Sequence, residues 1–186
     1  MRKLIYGINL TLDGCCDHTK QLANEEVHDF FTKLLREADT LIYGRITYQL
    51  MVPFWPDIAK NKSGPTKSMN DFAQAFDSVN QIVVFSKTLG KAEGEKTRIV
   101  RGNLHEEIIK LKKDEGKNIL VGGVDIPSQL MQPGLIDEFH FVIHPIVAGE
   151  GRRLFDRTTL QDSPHLKLAE SNILSSGHVA LRFLKK

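Results

Sequence analysis

Residues 118–125 read Asn-Ile-Leu-Val-Gly-Gly-Val-Asp, a short apolar strand that stops at two glycines and then enters a helix. The same order recurs upstream, where the apolar run 40–43 ends at Gly44 before a helix and the apolar run 81–85 ends at Ser86. Continuous apolar runs of this length are typical of strands buried on both faces of a parallel sheet. The pattern therefore predicts an α/β fold.

Outward from these strands, the same alternation continues until Pro133-Gly134 and then gives way to longer strands. The predicted strands are 3–12, 40–43, 81–85, 97–100, 118–121, 137–147, 166–174 and 178–184, and the predicted helices are 24–38, from 44, 69–76, 104–113 and from 125. Asn24 and Asp125 are the expected N-caps. Residues 53–65, rich in Pro and Lys, are predicted to form a long loop. Together, the predicted strands and helices indicate one mixed, largely parallel sheet with helices on both faces and a C-terminal hairpin.

The composition indicates one globular domain spanning residues 1–186. The chain is 41% hydrophobic and has 25 Lys and Arg residues against 23 Asp and Glu residues. Because the charges are interspersed, neither nucleic acid nor a membrane surface is the expected partner. Adjacent Cys15 and Cys16 cannot join distant segments, and no signal sequence or membrane span is evident, so a cytoplasmic location is expected. A small molecule or another subunit is the expected partner.

The strand ends are the predicted ligand site. Ligands of open α/β sheets bind beyond the carboxyl ends of the strands, and a dinucleotide suits such a site. Glycines would let the backbone approach a pyrophosphate, and cationic or hydroxyl side chains would hold phosphate oxygens. The candidates are Gly122, Gly123, Arg45, Thr47, Ser86 and Lys87. Each fragment alone is more typical of a turn with solvated basic side chains, and neither a P-loop nor a Gly-x-Gly-x-x-Gly motif is present.

Two carboxylates near the mouth between the first strand and the first helix are candidate proton donors. Asp13 and Glu26 would have a raised pKa if apolar side chains partly desolvated them. The predicted pocket residues are Phe30, Leu50 and Trp55. The alternatives are that Asp13 only forms an Asp-Gly turn and that Glu26 only favours the helix dipole.

Other polar residues carry weaker signals. His140 and His144 share one face of a strand, but no third ligand has suitable spacing, so no metal site is predicted. A surface or subunit-facing role is expected for both histidines. Cys15 and Cys16 are interpreted as small, partly buried residues, since nothing nearby in the sequence lowers a thiol pKa.

The order of five motifs resembles that of a known superfamily. They are Thr-Leu-Asp-Gly at 11–14, Gly-Arg-Ile-Thr-Tyr at 44–48, Val-Phe-Ser-Lys at 84–87, Val-Gly-Gly at 121–123, and the stretch 134–151 that ends in Gly-Glu-Gly. This series resembles the dihydrofolate reductase-like superfamily and, within it, the reductase domain of the bifunctional riboflavin biosynthesis protein. The resemblance implies an eight-stranded mixed sheet, a bound NADPH and hydride transfer to a pyrimidine- or pteridine-like heterocycle.

The resemblance also implies roles for individual residues. Gly44, Arg45 and Thr47 match the cofactor-binding Gly-Arg-x-Thr segment, Ser86 and Lys87 match the turn near the adenosine phosphate, and Gly122 and Gly123 match the pyrophosphate glycines. A cation at Arg45 or Lys87 would favour NADPH over NADH. Relatives commonly pair as dimers through the strand near residue 140, so a homodimer is expected.

Departures from the family pattern leave alternatives open. Gly7 stands where riboflavin-pathway reductases usually carry a lysine, and residues 17–26 lack the Pro-Trp pair of folate-reducing members. No deaminase motif accompanies the domain. The expected function is an NADPH-dependent reductase resembling 5-amino-6-(5-phosphoribosylamino)uracil reductase. The alternatives are an inactive nucleotide-binding sensor or assembly module on the same fold, and a dihydrofolate reductase.

Overall fold

A computed structural model describes residues 1–21, 24–156 and 164–186. Its strands are β1 (Leu4–Thr11), β2 (Ala38–Gly44), β3 (Gln81–Phe85), β4 (Thr97–Val100), β5 (Asn118–Val121), β6 (Glu138–His144), β7 (Leu166–Ile173) and β8 (Val179–Lys185). Its α-helices are α1 (Glu25–Arg36), α2 (Arg45–Met51), α3 (Trp55–Asn61), α4 (Lys67–Asp77), α5 (Leu104–Lys113) and α6 (Asp125–Met131). A short 3-10 helix, His18–Lys20, lies between β1 and α1.

The eight strands form one sheet in the order β4-β3-β2-β5-β1-β6-β8-β7. The first six are mutually parallel, whereas β8 runs antiparallel to both β6 and β7. This arrangement confirms the predicted mixed, mostly parallel sheet and its C-terminal hairpin. The shortest strands are β3, β4 and β5; β3 and β5 are two of the continuous apolar runs, and β4 is the neighbour of β3. The longer β1 lies between β5 and β6, near the centre of the sheet.

Helices cover both faces of the sheet. Successive side chains of a strand point to opposite faces, and β1 illustrates the division. Ile5 packs in a core cluster with α1, α3 and α4, whereas Leu4 and Tyr6 pack in a second cluster with α5 and α6. Within the described ranges, no helix is both long and apolar enough to cross a membrane.

The predicted loop at 53–65 is wrong, because its centre is helix α3 (Trp55–Asn61). Pro56 lies in the first turn, where a proline removes no intrahelical hydrogen bond and presets a helical φ. Trp55, Ile58 and Ala59 are buried at helical spacing. Helical periodicity was therefore present in the segment, and the proline that suggests a loop marks the start of the helix.

The two predicted N-caps have different outcomes. Asn24 caps α1, since its side-chain oxygen accepts a hydrogen bond from the backbone nitrogen of Val27 at 3.0 Å. The prediction for Asp125 is wrong, because Asp125 is the first residue of α6 and Val124 occupies the cap position. The carboxylate of Asp125 instead binds Arg152, with Nη2 and Oδ1 2.6 Å apart.

Candidate functional site

The strand connections diverge at the boundary between β2 and β5. From β2 the chain continues to β3 on one side, and from β5 it continues to β6 on the other side, beyond β1. Such a divergence opens a crevice at the carboxyl edge of a sheet, which is the usual ligand site of open α/β folds. The crevice between the ends of β2 and β5 is therefore the candidate site.

Glycines line this crevice at close quarters. Gly123 has a φ of 83°, and a Cβ atom built on it would lie 2.3 Å from the Oγ1 atom of Thr47. A Cβ atom on Gly122 would lie 2.9 Å from Cε1 of Tyr43. The Tyr6 hydroxyl donates a hydrogen bond to the Gly123 carbonyl at 2.8 Å, which fixes the turn from the sheet side. The structure thus brings Gly122, Gly123 and Thr47 together, and only glycine fits at position 123.

The helices that start at this crevice lack side-chain caps. Gly44 precedes α2 and Val124 precedes α6, and neither helix start receives a side-chain cap from the described part of the chain. By contrast, α1 and α4 are capped by Asn24 and Thr66. Backbone N–H groups at the start of α2 therefore lie at the crevice without a side-chain acceptor among the described residues.

The predicted phosphate-binding side chains differ in how they are engaged. Arg45 is exposed, and its Nη1 atom donates to Oε1 of Gln49 at 2.9 Å. The Ser86 hydroxyl accepts hydrogen bonds from the backbone nitrogens of Thr88 and Leu89, so it shapes its own turn. Lys87 lies exposed on that turn.

Sequence reasoning missed Arg101 beside the same turn. Its guanidinium donates to the carbonyls of Ser86 at 3.1 Å and Leu89 at 2.7 Å. Arg101 directly follows β4, the edge strand of the sheet, and therefore occupies the same strand-end position as the other candidates. That position was the available signal, but no glycine or serine motif marked it.

The predicted rise in the pKa of Asp13 is wrong. Its carboxylate accepts hydrogen bonds from the Thr11 hydroxyl at 2.6 Å and from the backbone nitrogens of Ala148 and Gly149 at 3.0 Å each. Arg153 adds an ion pair at 3.1 Å. The Thr11 hydrogen bond, followed by that of Ala148, lowers the pKa of Asp13 well below its ordinary value. In this structure Asp13 joins the end of β1 to the segment after β6.

The pKa of Glu26 is also lowered, contrary to prediction. Hydrogen bonds from Ser176 and then Ser175 bring the pKa of Glu26 to about 2. The backbone nitrogen of Ser176 lies 2.8 Å from Oε2, and the Ser175 hydroxyl lies 2.9 Å from Oε1. Both serines belong to the turn between β7 and β8. Glu26 therefore ties the first turn of α1 to the C-terminal hairpin.

The predicted pocket residues lie in different surroundings. Trp55 is 9% exposed and packs on Phe72 with ring centroids 4.4 Å apart, so it belongs to the core of the α1–α3–α4 layer. Leu50 is 47% exposed on α2. Phe30 lies over the His140 ring, with centroids 6.1 Å apart. Desolvation raises the pKa of Asp13 and of Glu26 less than their hydrogen bonds lower it, so the expected desolvation is not the dominant influence on either carboxylate.

The expected surface role of the two histidines is wrong, since His140 and His144 are buried. His144 pairs with His178, with Nδ1 and Nε2 3.1 Å apart. Cys15 is buried and Cys16 is partly buried, as expected. Burial raises the pKa of Cys16 to about 11, so it is a neutral thiol at physiological pH.

Comparison with known proteins supplies the family. The family model described as the RibD C-terminal domain matches residues 2–180. The chain belongs to this family. It is also 32% identical over 184 residues to the uncharacterized protein YyaP of Bacillus subtilis (strain 168), covering 97% of this chain and 93% of that protein.

Solved structures share the fold of this RibD C-terminal domain protein. A pyrimidine reductase-like protein from Corynebacterium diphtheriae has a TM-score of 0.68 at 14% identity, over 100% of this chain and 92% of that chain. Dihydrofolate reductase from Enterococcus faecalis, complexed with NADP(H), has a TM-score of 0.64 at 15% identity, over 99% of this chain and 96% of that chain. The fold is therefore dihydrofolate reductase-like, as the motif series predicts.

Proposed function

We propose that this protein is an NADPH-dependent reductase that transfers a hydride to a pyrimidine- or pteridine-like small molecule. The observation that carries the proposal is the glycine-lined crevice between β2 and β5, where Gly123 lies against Thr47. Membership of the RibD C-terminal domain family supports the same reading.

The residues at the strand ends fit a dinucleotide phosphate. Gly122 and Gly123 leave the backbone open to a pyrophosphate, and Thr47 supplies a hydroxyl beside them. Arg45 and Lys87 are exposed cations on the neighbouring strand ends, available to a 2′-phosphate. The cofactor, when bound, supplies the hydride, and the protein holds it against the substrate.

Neither Asp13 nor Glu26 is the proton donor in this proposal. Both carboxylates have a lowered pKa because they accept several hydrogen bonds from loops of the fold. A general acid works best with a pKa near the operating pH. The same observation favours a second candidate function, an inactive nucleotide-binding sensor, because the two carboxylates predicted as proton donors are hydrogen-bonded to loops of the fold.

Cofactor titration tests the proposal. Nicotinamide fluorescence is measured with NADPH and NADH for the wild type, Arg45→Ala, and the control Lys60→Ala, which removes an exposed cation on α3 away from the crevice. We expect NADPH to bind and Arg45→Ala to weaken it about tenfold or more, with NADH unaffected, since a charge-assisted hydrogen bond is lost. Binding of neither cofactor to the wild type would refute the reductase and the sensor alike.

Turnover separates the two candidates. NADPH oxidation is followed with aminouracils, pterins and dihydrofolate as substrates. Oxidation that depends on one of them supports the reductase, and oxidation with dihydrofolate alone identifies the folate-reducing alternative. Tight NADPH binding without oxidation by any of them favours the sensor.

A further inference from the structure

The centre of the sheet is not fully covered on the α1 side. β1 lies between β5 and β6, and a central strand beneath a helix is normally buried on that face. Ile5 is buried, but Gly7 and Asn9, which follow it on the same face, are partly exposed. The side chains of α1 therefore leave an opening above the second half of β1.

Aromatic rings form one wall of this opening. A Cβ atom on Gly7 would lie 3.2 Å from Cε1 of Phe31, so the absence of a side chain at position 7 makes room for that ring. Phe30 stands perpendicular to Phe31, with ring centroids 5.3 Å apart. At the carboxyl edge the Gln21 side chain borders the opening, since its Nε2 atom donates to the Asn9 carbonyl at 3.0 Å.

The Asn9 carboxamide on the floor of the opening forms no hydrogen bond with the part of the chain that the structure describes. Its Oδ1 atom is buried and has no hydrogen-bond partner among the described residues, and no hydrogen bond joins its Nδ2 atom to them either. Unpaired polar atoms in a protein interior are costly and call for an explanation. Because no described residue satisfies the Asn9 side chain, a ligand is the simplest explanation for an asparagine at this place in a central strand.

A second unpaired atom lies on the same face of the next strand. Gly7 pairs with His140 in the β1–β6 register, which puts His140 roughly 8 Å from Asn9 along the diagonal. His140 is 6% exposed, and its Nδ1 atom has no partner among the described residues, whereas Nε2 faces Glu138 at 3.4 Å. Burial lowers the pKa of His140, although Glu138 opposes the shift, so Nδ1 carries a lone pair at neutral pH.

The surroundings favour an uncharged ligand. The side chains that border the opening, at positions 9, 21, 30 and 31, carry no charge. The nearest charge on this face of β6, Glu138, is paired with Lys3 at 2.6 Å and Arg182 at 2.9 Å. None of these bordering side chains is a cation that could bind a phosphate.

We propose that Asn9 recognises the substrate through hydrogen bonds between its carboxamide and the edge of a heterocycle that carries an N–H donor beside an acceptor. Phe30 and Phe31 contact the ring of the same heterocycle. A lactam or aminopyrimidine edge on a planar, unphosphorylated ring has this pattern. Turning the amide by 180° exchanges the positions of its oxygen and its NH₂ group. The amide still offers one acceptor beside one donor, so it remains complementary to a heterocycle edge with a donor beside an acceptor. This inference rests on the proposed function and assigns the residue that recognises the hydride acceptor.

Stability gives the first test. Asn9→Leu keeps the branched shape of the side chain and replaces the unpaired polar atoms with methyl groups, so we expect the melting temperature to rise by about 2–4 °C. The control is Asn70→Leu, because the Asn70 side chain makes hydrogen bonds with Gly64 and Thr66 and its loss lowers the melting temperature. A fall for Asn9→Leu as well would overturn the proposal, since Asn9 would then be structural, for instance through a buried water.

Ligand discrimination gives the second test. Lumazine (pteridine-2,4-dione) and 1,3-dimethyllumazine, which lacks the ring N–H groups, are titrated by fluorescence in the presence of NADP⁺. We expect the wild type to bind lumazine about tenfold more tightly than the dimethyl compound, and Asn9→Leu to bind both equally. Equal binding by the wild type, or discrimination retained in Asn9→Leu, would overturn the inference.

Separate measurements distinguish a failure of the cofactor proposal from a failure of the proposed role of Asn9. NADPH titration of the wild type and Asn9→Leu, without a heterocycle, reports on the cofactor crevice alone, and we expect the two affinities to agree within about twofold. NADPH binding without lumazine discrimination overturns the role of Asn9 and leaves the cofactor proposal standing. Lumazine discrimination without cofactor binding removes the reductase and supports Asn9 as a heterocycle-binding residue.

Discussion

Glu26 accepts hydrogen bonds from the β7–β8 turn, and these lower its pKa to about 2. The stability that this contact contributes therefore depends on pH. Because the folded state lowers the pKa from the ordinary value of 4.5, the contact stabilises the protein above pH 4.5 and is lost as the pH falls towards 2. We expect Glu26→Gln to melt below the wild type at pH 6, and the difference to shrink as the pH falls from about 5 to 2.

Melting curves across this pH range check the prediction. Glu25→Gln, one residue earlier in the first turn of α1, controls for removal of a negative charge near the helix dipole. A difference between the wild type and Glu26→Gln that stays constant down to pH 2 would contradict stabilisation by hydrogen bonds to the ionised Glu26 carboxylate.

The residues also show where sequence reasoning succeeds and where it fails. Gly44, Gly122 and Gly123 are recognisable because each follows an apolar run, a local pattern. The surroundings of Asp13 and Glu26 are not recognisable, since their partners lie at positions 148–149 and 175–176. These distant partners, together with the nearby Thr11 hydroxyl in the case of Asp13, lower the pKa of both carboxylates, so the predicted direction of both shifts was wrong.

At the scale of secondary structure, helix α3 turns Trp55 from a pocket candidate into a packing residue. Trp55 contacts Phe72 of α4 and His28 of α1, so it holds three helices together. We expect Trp55→Ala to lower the free energy of unfolding by about 3–5 kcal/mol, as for other large buried side chains. Denaturant unfolding measures this change.

The neighbouring Phe54→Ala is the control for Trp55→Ala, because Phe54 is about half exposed and truncating it removes less buried surface. If Trp55→Ala unfolded like the wild type but lost substrate affinity, the pocket role predicted from the sequence would hold instead.

At the scale of the whole molecule, β7 is an edge strand of the sheet and carries two of the exposed large apolar side chains. The sequence predicts pairing through the strand near residue 140, but Phe139, His140 and Val142 are buried within the chain. On the edge strand β7, by contrast, Leu168 is 51% exposed and Ile173 is 83% exposed. An exposed edge strand with apolar side chains is a natural pairing surface. We therefore expect the homodimer to form through β7.

Sedimentation velocity at micromolar concentration tests this expectation. The wild type should sediment as a dimer and Ile173→Lys as a monomer, because a buried lysine at the interface would be unpaired. Ile109→Lys on α5, also an exposed apolar position, should remain a dimer. A monomeric wild type would count against the dimer altogether.

The sequence by itself determines the α/β alternation, most element positions, the glycine-bearing strand ends and the superfamily, because periodicity and turn residues are local properties of the chain. Even the missed helix α3 carried its signal at Trp55, Ile58 and Ala59. Only the tertiary structure decides that Asp13 and Glu26 bind loops far away in sequence, that the edge strand β7 exposes Leu168 and Ile173, and that the Asn9 carboxamide has no hydrogen-bond partner among the described residues. Burial, hydrogen-bond partners and pKa values depend on which segments meet in space, and the order of residues in one segment does not specify its neighbours.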